Sequence, residues 1–182
     1  MRQQKKEITD RNVIVGLLAR TAVGRLGTNG ADGYPRVKPL NFVYADGAIY
    51  FHSAKAGEKI DDIGRDNRVC FEVDLPIAFA KGLPENPCKA EFLYRSVILY
   101  GRAVIVQDER EQRKALSVLM TKYQPEGGHG DFLPEKLALT AVVRIDIERL
   151  TGKEDLGKGA LREQALDALE RGLPLPVVLS LS

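Results

Sequence analysis

The 182-residue sequence has no tryptophan and only two cysteines, two methionines and two histidines. Each shortage excludes something. Cys70 and Cys88 are too few for a disulfide framework and suit a reducing compartment. Together with His52 and His129 they give no paired metal-ligand spacing, so a structural zinc is not expected. No serine stands in a G-x-S-x-G setting and no cysteine lies beside a suitable base, which argues against a nucleophilic hydrolase. No apolar run approaches the roughly 20 residues of a membrane-spanning helix. The opening MRQQKKEITD lacks the apolar stretch of a signal peptide, so a cytoplasmic location is the expectation. The 27 basic and 25 acidic side chains leave a formal charge of +2, which gives no support for a nucleic-acid partner. Against these absences, 44% hydrophobic and 29% charged residues are enough for one ordinary core, in one domain or one with a small appendage.

The chain is organised around Tyr34 to Asp74. Arg36 to Tyr44 alternates in part, with Leu40, Phe42 and Tyr44 on one face. Asp46-Gly47 is a two-residue hairpin signal, because both positions tolerate a positive φ. Ala48 to His52 alternates again, Ile49 and Phe51 against Tyr50 and His52, before a short helix carrying Ile60 and Ile63 and a strand from Val69 to Val73. Upstream, Thr9-Asp10 offers a cap for a helix with Val13, Ile14, Leu17 and Leu18 on its stripe, and Gly24 to Thr28 reads as a strand. Downstream, Pro76, Gly82, Pro84 and Pro87 make Leu75 to Arg95 read as a long irregular loop, from which Phe79, Phe92 or Tyr94 is expected to help cover a ligand. Ser96 to Val106 is a strand with Gly101 at a bulge or close approach. Glu111 to Tyr123 is a helix with Ala115, Leu116, Leu119, Met120 and Tyr123 inward, and Thr140 to Glu148 is a half-buried strand. Gly127-Gly128-His129-Gly130 lacks the strand-to-helix context of a dinucleotide fingerprint and reads as flexible loop. Leu161 to Leu169 is a helix stopped by Gly172. The apolar arm after it is expected to pack on its own barrel or on a partner subunit. The short connections imply antiparallel pairing and a small barrel.

The chemistry concentrates in His52-Ser53-Ala54-Lys55-Ala56-Gly57-Glu58-Lys59. A helix start offers unpaired N–H groups and partial positive charge, which suit a phosphate. Ser53 adds a hydroxyl, Lys55 and Lys59 add ammonium groups, and Gly57 permits close backbone approach. Arg36 and Lys38 can contribute from an adjacent strand. The same residues also read as a solvated basic turn. The carboxylates Asp61, Asp62, Glu109 and Glu111 read as solvated charge on helix faces.

The order of Pro35, Val37, Pro39, Asn41, Phe42, Ile49, Tyr50, Phe51, His52, Ser53, Gly57, Lys59 and Ile63 resembles the FMN-binding split barrels related to pyridoxamine 5′-phosphate oxidase, in their nitroimidazole-resistance branch. Ser96-Val97-Ile98 with Gly101-Arg102-Ala103, and Val143 to Asp146 with Thr151 to Glu154, extend the resemblance over roughly residues 1–155. It implies a mainly β fold with short helices, a six-stranded antiparallel split barrel over 1–155, and a C-terminal helix and arm over 156–182. It implies FMN held by Arg36, Val37, Lys38, Pro39, Leu40, Asn41, His52, Ser53, Lys55, Gly57, Lys59 and Ser96. Lys59 matches a phosphate-binding basic residue of the family's strand-to-helix motif. It implies a homodimer with FMN at the subunit interface, to which Ser96 to Arg102 and the region of Arg144 would contribute from the second chain. His52 matches a histidine near the flavin and is the catalytic candidate, though it also reads as a hydrogen-bonded residue at a strand end. The basic C-terminal signature of true pyridoxamine-phosphate oxidases is absent, so that reaction is not expected. The implied activity is FMN-dependent reduction of a small acceptor. Alternatives are a non-catalytic flavin carrier or redox sensor, or a relative of the same fold that binds haem or a deazaflavin.

Overall fold

The computed structural model describes residues 4–180. After a 3-10 turn at Gln4–Lys6 come β1 (Glu7–Ile8), α1 (Arg11–Arg20), β2 (Gly24–Asn29), β3 (Pro35–Leu40), β4 (Val43–Ala45), β5 (Ala48–Ala54) and α2 (Glu58–Arg65). Then follow β6 (Arg68–Lys81), β7 (Glu91–Ile105), α3 (Glu109–Tyr123), α4 (Pro134–Leu137), β8 (Thr140–Asp155), α5 (Ala160–Glu170) and β9 (Val177–Ser180). The hydrogen-bonding order is β3-β2-β6-β7-β8-β5-β4, with β1 on β8 and β9 on β6.

That order explains the curl. Seven strands laid flat at about 4.8 Å per spacing would put β3 and β4 roughly 29 Å apart. Only Asn41 and Phe42 join them, and two residues bridge no more than about 10 Å. The antiparallel sheet therefore bends into a half-barrel, the mainly β fold expected from the sequence. Among the described residues the strand count is nine rather than six. The break at Asn41-Phe42 splits one expected strand into β3 and β4, and the short β1 and β9 are too brief to carry an alternation signal.

The long irregular loop expected from Leu75 to Arg95 shrinks to 82–90. β6 runs on to Lys81 and β7 begins at Glu91, because Ile77, Ala78, Ala80 and Leu93 are fully buried and need paired backbone. Pro76 is tolerated where β6 changes neighbours: pairing with β2 is recorded at Cys70 to Glu72, and β9 joins from Ala78.

Two compact units make up the chain. One comprises the residues up to Leu17, Asp74–Val97 and those from Thr151 onward. Its core is Ile77, Ala78, Leu93, Leu156 and Ala165, with Leu161, Leu169 and Val177 at the edge. The C-terminal arm packs within this unit, β9 running parallel to β6 with Ala78 opposite Val177. The other comprises Leu18–Val73 and Ile98–Leu150. There Val43, Tyr50 and Val142 pack on Ala115, Leu116 and Leu119 of α3. That helix starts earlier than its apolar stripe because the Asp108 carboxylate accepts from the Glu111 N–H at 2.8 Å. The Asp46-Gly47 turn has φ of 51° and 82°, as its residues require.

The C-terminal turn of α3 ties down the β3–β4 link. The Tyr123 hydroxyl accepts from the Phe42 N–H at 2.9 Å and donates to the Ala22 carbonyl at 2.7 Å. Lys122 donates to the Leu18 carbonyl at 3.0 Å and lies 3.8 Å from the centroid of the Phe42 ring. Burial lowers the Lys122 amine to about 8, from an ordinary 10.5. Between those values the unfolded chain binds more protons at this site, so the penalty of holding a buried ammonium is full below about 8 and relieved towards 10.5. The stability difference between the native protein and Lys122→Met should therefore shift in favour of the native protein from pH 8 to 10.5. Urea midpoints across that range read it, and a flat difference would contradict the buried charge.

Candidate functional site

Strand alternation sorts the cations. Arg36, Lys38 and Leu40 are half-buried along one face of β3, whereas Pro35, Val37 and Pro39 point outward, Val37 at 65% exposure. Arg36 stands opposite Thr28 of β2 and Lys38 opposite Leu26, both of them buried. That face looks onto α2, which is entered through Gly57 at φ 120° with no side-chain cap. The first intrahelical bonds to the Gly57 carbonyl come from Ile60 and Asp61. The amides of Glu58 and Lys59 therefore precede the helix ladder and are available to an acceptor.

Between strand and helix lies a network that spacing alone did not reveal. Glu58 bridges the two β3 cations, one carboxylate oxygen on Arg36 and the other 3.1 Å from Lys38. Asp62, only 3% exposed, accepts from the Thr28 hydroxyl at 2.8 Å and from Arg65 at 3.0 Å, with the Lys38 ammonium at 3.4 Å. Burial alone would push its carboxyl up; the three hydrogen bonds and the Lys38 charge outweigh that and hold it below the usual carboxylate value. The reading of Asp62 as solvated charge is thus corrected: its helical position turns it inward onto β2 and β3. Glu111 is likewise no bystander, since it accepts from Tyr50 at 3.0 Å and from Arg144 at 2.7 Å.

Lys59 differs from its neighbours. Its amine is held below the usual lysine value, first by burial and then by the nearby Lys38 charge. It lies 5.3 Å from the Phe51 ring centroid and forms no ion pair among the described residues. Arg36 carries a buried Nε with no hydrogen-bond partner. The site therefore has cationic capacity to spare, and these donors fit a phosphate group.

Of the other residues expected here, Ser53 is half-buried on the same side of β5 as Phe51, while Lys55 is exposed. His52 lies on the opposite face, the one on which Tyr50 packs against α3, and is itself exposed, because successive strand residues alternate. It pairs in register with Val142 of β8, and the structure places its side chain away from the Ser53 side. Asn41 is exposed and donates to the Ala22 carbonyl at 3.3 Å, satisfying a backbone group. Tyr50 and Phe51 are core residues. Ser96 lies half-buried on β7 in the other compact unit, which also holds the exposed Phe79 of β6 and, on β7, the exposed Phe92 and the half-buried Tyr94. Among the described residues no group of three or more His, Cys, Asp or Glu is placed to hold a metal ion, and no helix is long and apolar enough to cross a membrane.

Comparison with known proteins agrees with this architecture. A candidate 5-nitroimidazole antibiotic resistance protein from Bacteroides thetaiotaomicron is 25% identical and superposes with a TM-score of 0.70, over 81% of this chain and 86% of its own. An FAD-binding protein from Mesorhizobium loti is 27% identical, with a TM-score of 0.57 over 80% of this chain and 95% of its own. An FAD- and haem-binding protein from Mycobacterium smegmatis, 18% identical, shares the fold with a TM-score of 0.76 over 90% of this chain and 80% of its own. No curated protein matches. The sequence model described as pyridoxamine 5′-phosphate oxidase matches residues 10–154, most of the chain, and so the protein belongs to the pyridoxamine 5′-phosphate oxidase family.

Proposed function

We propose that this chain is an FMN-binding oxidoreductase that reduces a small acceptor and works as a homodimer. The observation that carries the reading is the half-buried Lys59, without an ion pair among the described residues, at an uncapped helix start beside Arg36 and Lys38. That is the donor set a terminal phosphate dianion requires. Family membership and the FAD-binding relatives support a flavin. Bound there, the flavin supplies the electron transfer.

The chain's own residues do the holding. Lys59 and the α2 amides take phosphate oxygens, Ser53 adds a hydroxyl from the end of β5, and Lys38 and Arg36 turn from Glu58 towards the incoming anion. The outward Pro35, Val37 and Pro39 offer apolar cover. The homodimer is supported by Ile98 at 38% and Tyr100 at 42% exposure, alternating outward on β7 where a partner would bury them.

Freshly purified protein should show a flavin spectrum, release FMN on heating, and turn over a nitroaromatic acceptor with a reduced nicotinamide donor. A flavin that stays oxidised across donors would leave the carrier reading and remove the enzyme. A dominant Soret band would replace flavin by haem. Protein that neither contains nor takes up FMN would end the proposal.

A further inference from the structure

A second cluster of cations, within the other compact unit, surrounds a cleft of about 900 Å³. Five basic and three acidic side chains line it. Two of the three carboxylates are engaged, Asp155 with Lys6, and Glu154 with Arg95 at 3.0 Å and Arg162 at 3.5 Å, against five basic side chains. Glu91 lies beside Gly157, its oxygen at the edge of contact with the Cβ that a larger residue would carry there. Lys5, Lys89 and Lys158 form no ion pair among the described residues, yet they come from three separate segments that meet only on folding. Like charges gathered in this way repel one another, and nothing in the local sequence of any segment requires the meeting.

The wall between them is aromatic. Phe92 is 51% exposed and stacks on Tyr94 with ring centroids 6.2 Å apart and planes 21° from parallel. An exposed ring flanked by a second ring on the same strand face is a platform for a planar ligand, and cations around it select for an anionic one. The floor is the buried Leu156, and α5 begins at the same wall without a side-chain cap.

We propose that this cleft is a second ligand site that takes a small aromatic phosphate ester of the nucleotide class. The ring of the ligand lies on Phe92 and its phosphate meets Lys89, Lys158 and Lys5. The site stands on its own residues and does not depend on the flavin reading.

The test is calorimetric titration of adenosine 5′-monophosphate into protein carrying one equivalent of FMN per chain and no free FMN, with adenosine and inorganic phosphate as separate titrants. The monophosphate should bind at least about tenfold more tightly than either fragment, since a charge-assisted phosphate contact and a stacking contact each contribute about that much. Lys89→Ala combined with Lys158→Ala should weaken it by about tenfold or more, and Phe92→Leu by severalfold, with melting midpoints unchanged because all three side chains are exposed. If a variant does not fold, backbone NMR of the native protein decides, with amide shifts at Gly157 and Gly159 expected on titration. Equal affinity for monophosphate and adenosine would overturn the proposal. So would binding that survives the double substitution but is lost in Lys59→Ala, which would place the nucleotide at the α2 cluster. Failure to bind FMN, with nucleotide binding intact at this cleft, would sink the flavin reading alone.

Discussion

Lys59→Ala should lower FMN affinity by roughly 30- to 150-fold, the worth of about 2–3 kcal/mol for a hydrogen bond to a charged group in a partly buried site. The size follows from the arrangement of its neighbours. Arg36 and Lys38 each share their charge with Glu58, and Lys38 also faces Asp62, so part of their attraction for an anion is spent within the protein. Lys59 has no such partner among the described residues and is already partly desolvated. For the same reason alanine there should leave the melting midpoint of the flavin-free protein unchanged or slightly higher, which separates lost binding from lost folding. Glu58→Gln should act in the opposite direction, removing the carboxylate that both β3 cations share while Arg36 keeps Asp32 and Lys38 keeps Asp62, and tightening FMN by up to about fivefold, the value of a solvent-exposed ion pair. Titration of FMN by quenching of its fluorescence measures both. Affinity within twofold of native for Lys59→Ala, or weaker binding for Glu58→Gln, would remove the phosphate from this cluster.

Gly101→Ala should destabilise the protein by about 3 kcal/mol or more, the upper range for forcing extra volume into a packed site. An added Cβ would stand 3.0 Å from the Asp146 carbonyl carbon and closer still to its oxygen, with the Ile145 side chain at 3.2 Å. The obstruction is backbone of the neighbouring strand, which cannot swing aside as a flexible side chain can. Gly64 is the control: nothing lies within 4 Å of a Cβ there, and it sits inside α2. Gly64→Ala should therefore stabilise by about 0.5–1 kcal/mol through helix propensity. Urea midpoints compare the two. A Gly101→Ala protein that unfolds at the native midpoint would mean that β7 and β8 are less closely apposed than described.

Local signals carried most of the fold. Alternation, the Asp46-Gly47 turn and the helical stripe of α3 depend on residues close together in the chain, so they are legible in it. The region after Leu75 is misleading in sequence because proline and glycine there act locally as breakers, whereas the burial of Ile77, Ala78 and Leu93 holds their backbone in the sheet. Gly101 could be marked as a place of close approach, but the atoms it approaches lie on β8, about 45 residues away.

Arg36, Lys38, Lys55 and Lys59 are legible in the sequence, because a helix start after a glycine with lysines nearby is a local pattern, whereas Arg65, which holds Asp62, carries no such signal. Their differing roles were decided in three dimensions. Strand register sets Thr28 beside Arg36, and the turn of α2 carries Glu58 and Asp62 against β3. Coulomb attraction falls off within a few ångströms of contact in water, so only the folded neighbourhood determines which charges are neutralised. It leaves Lys59 without a carboxylate, and it gathers Lys5, Lys89 and Lys158 around one cleft.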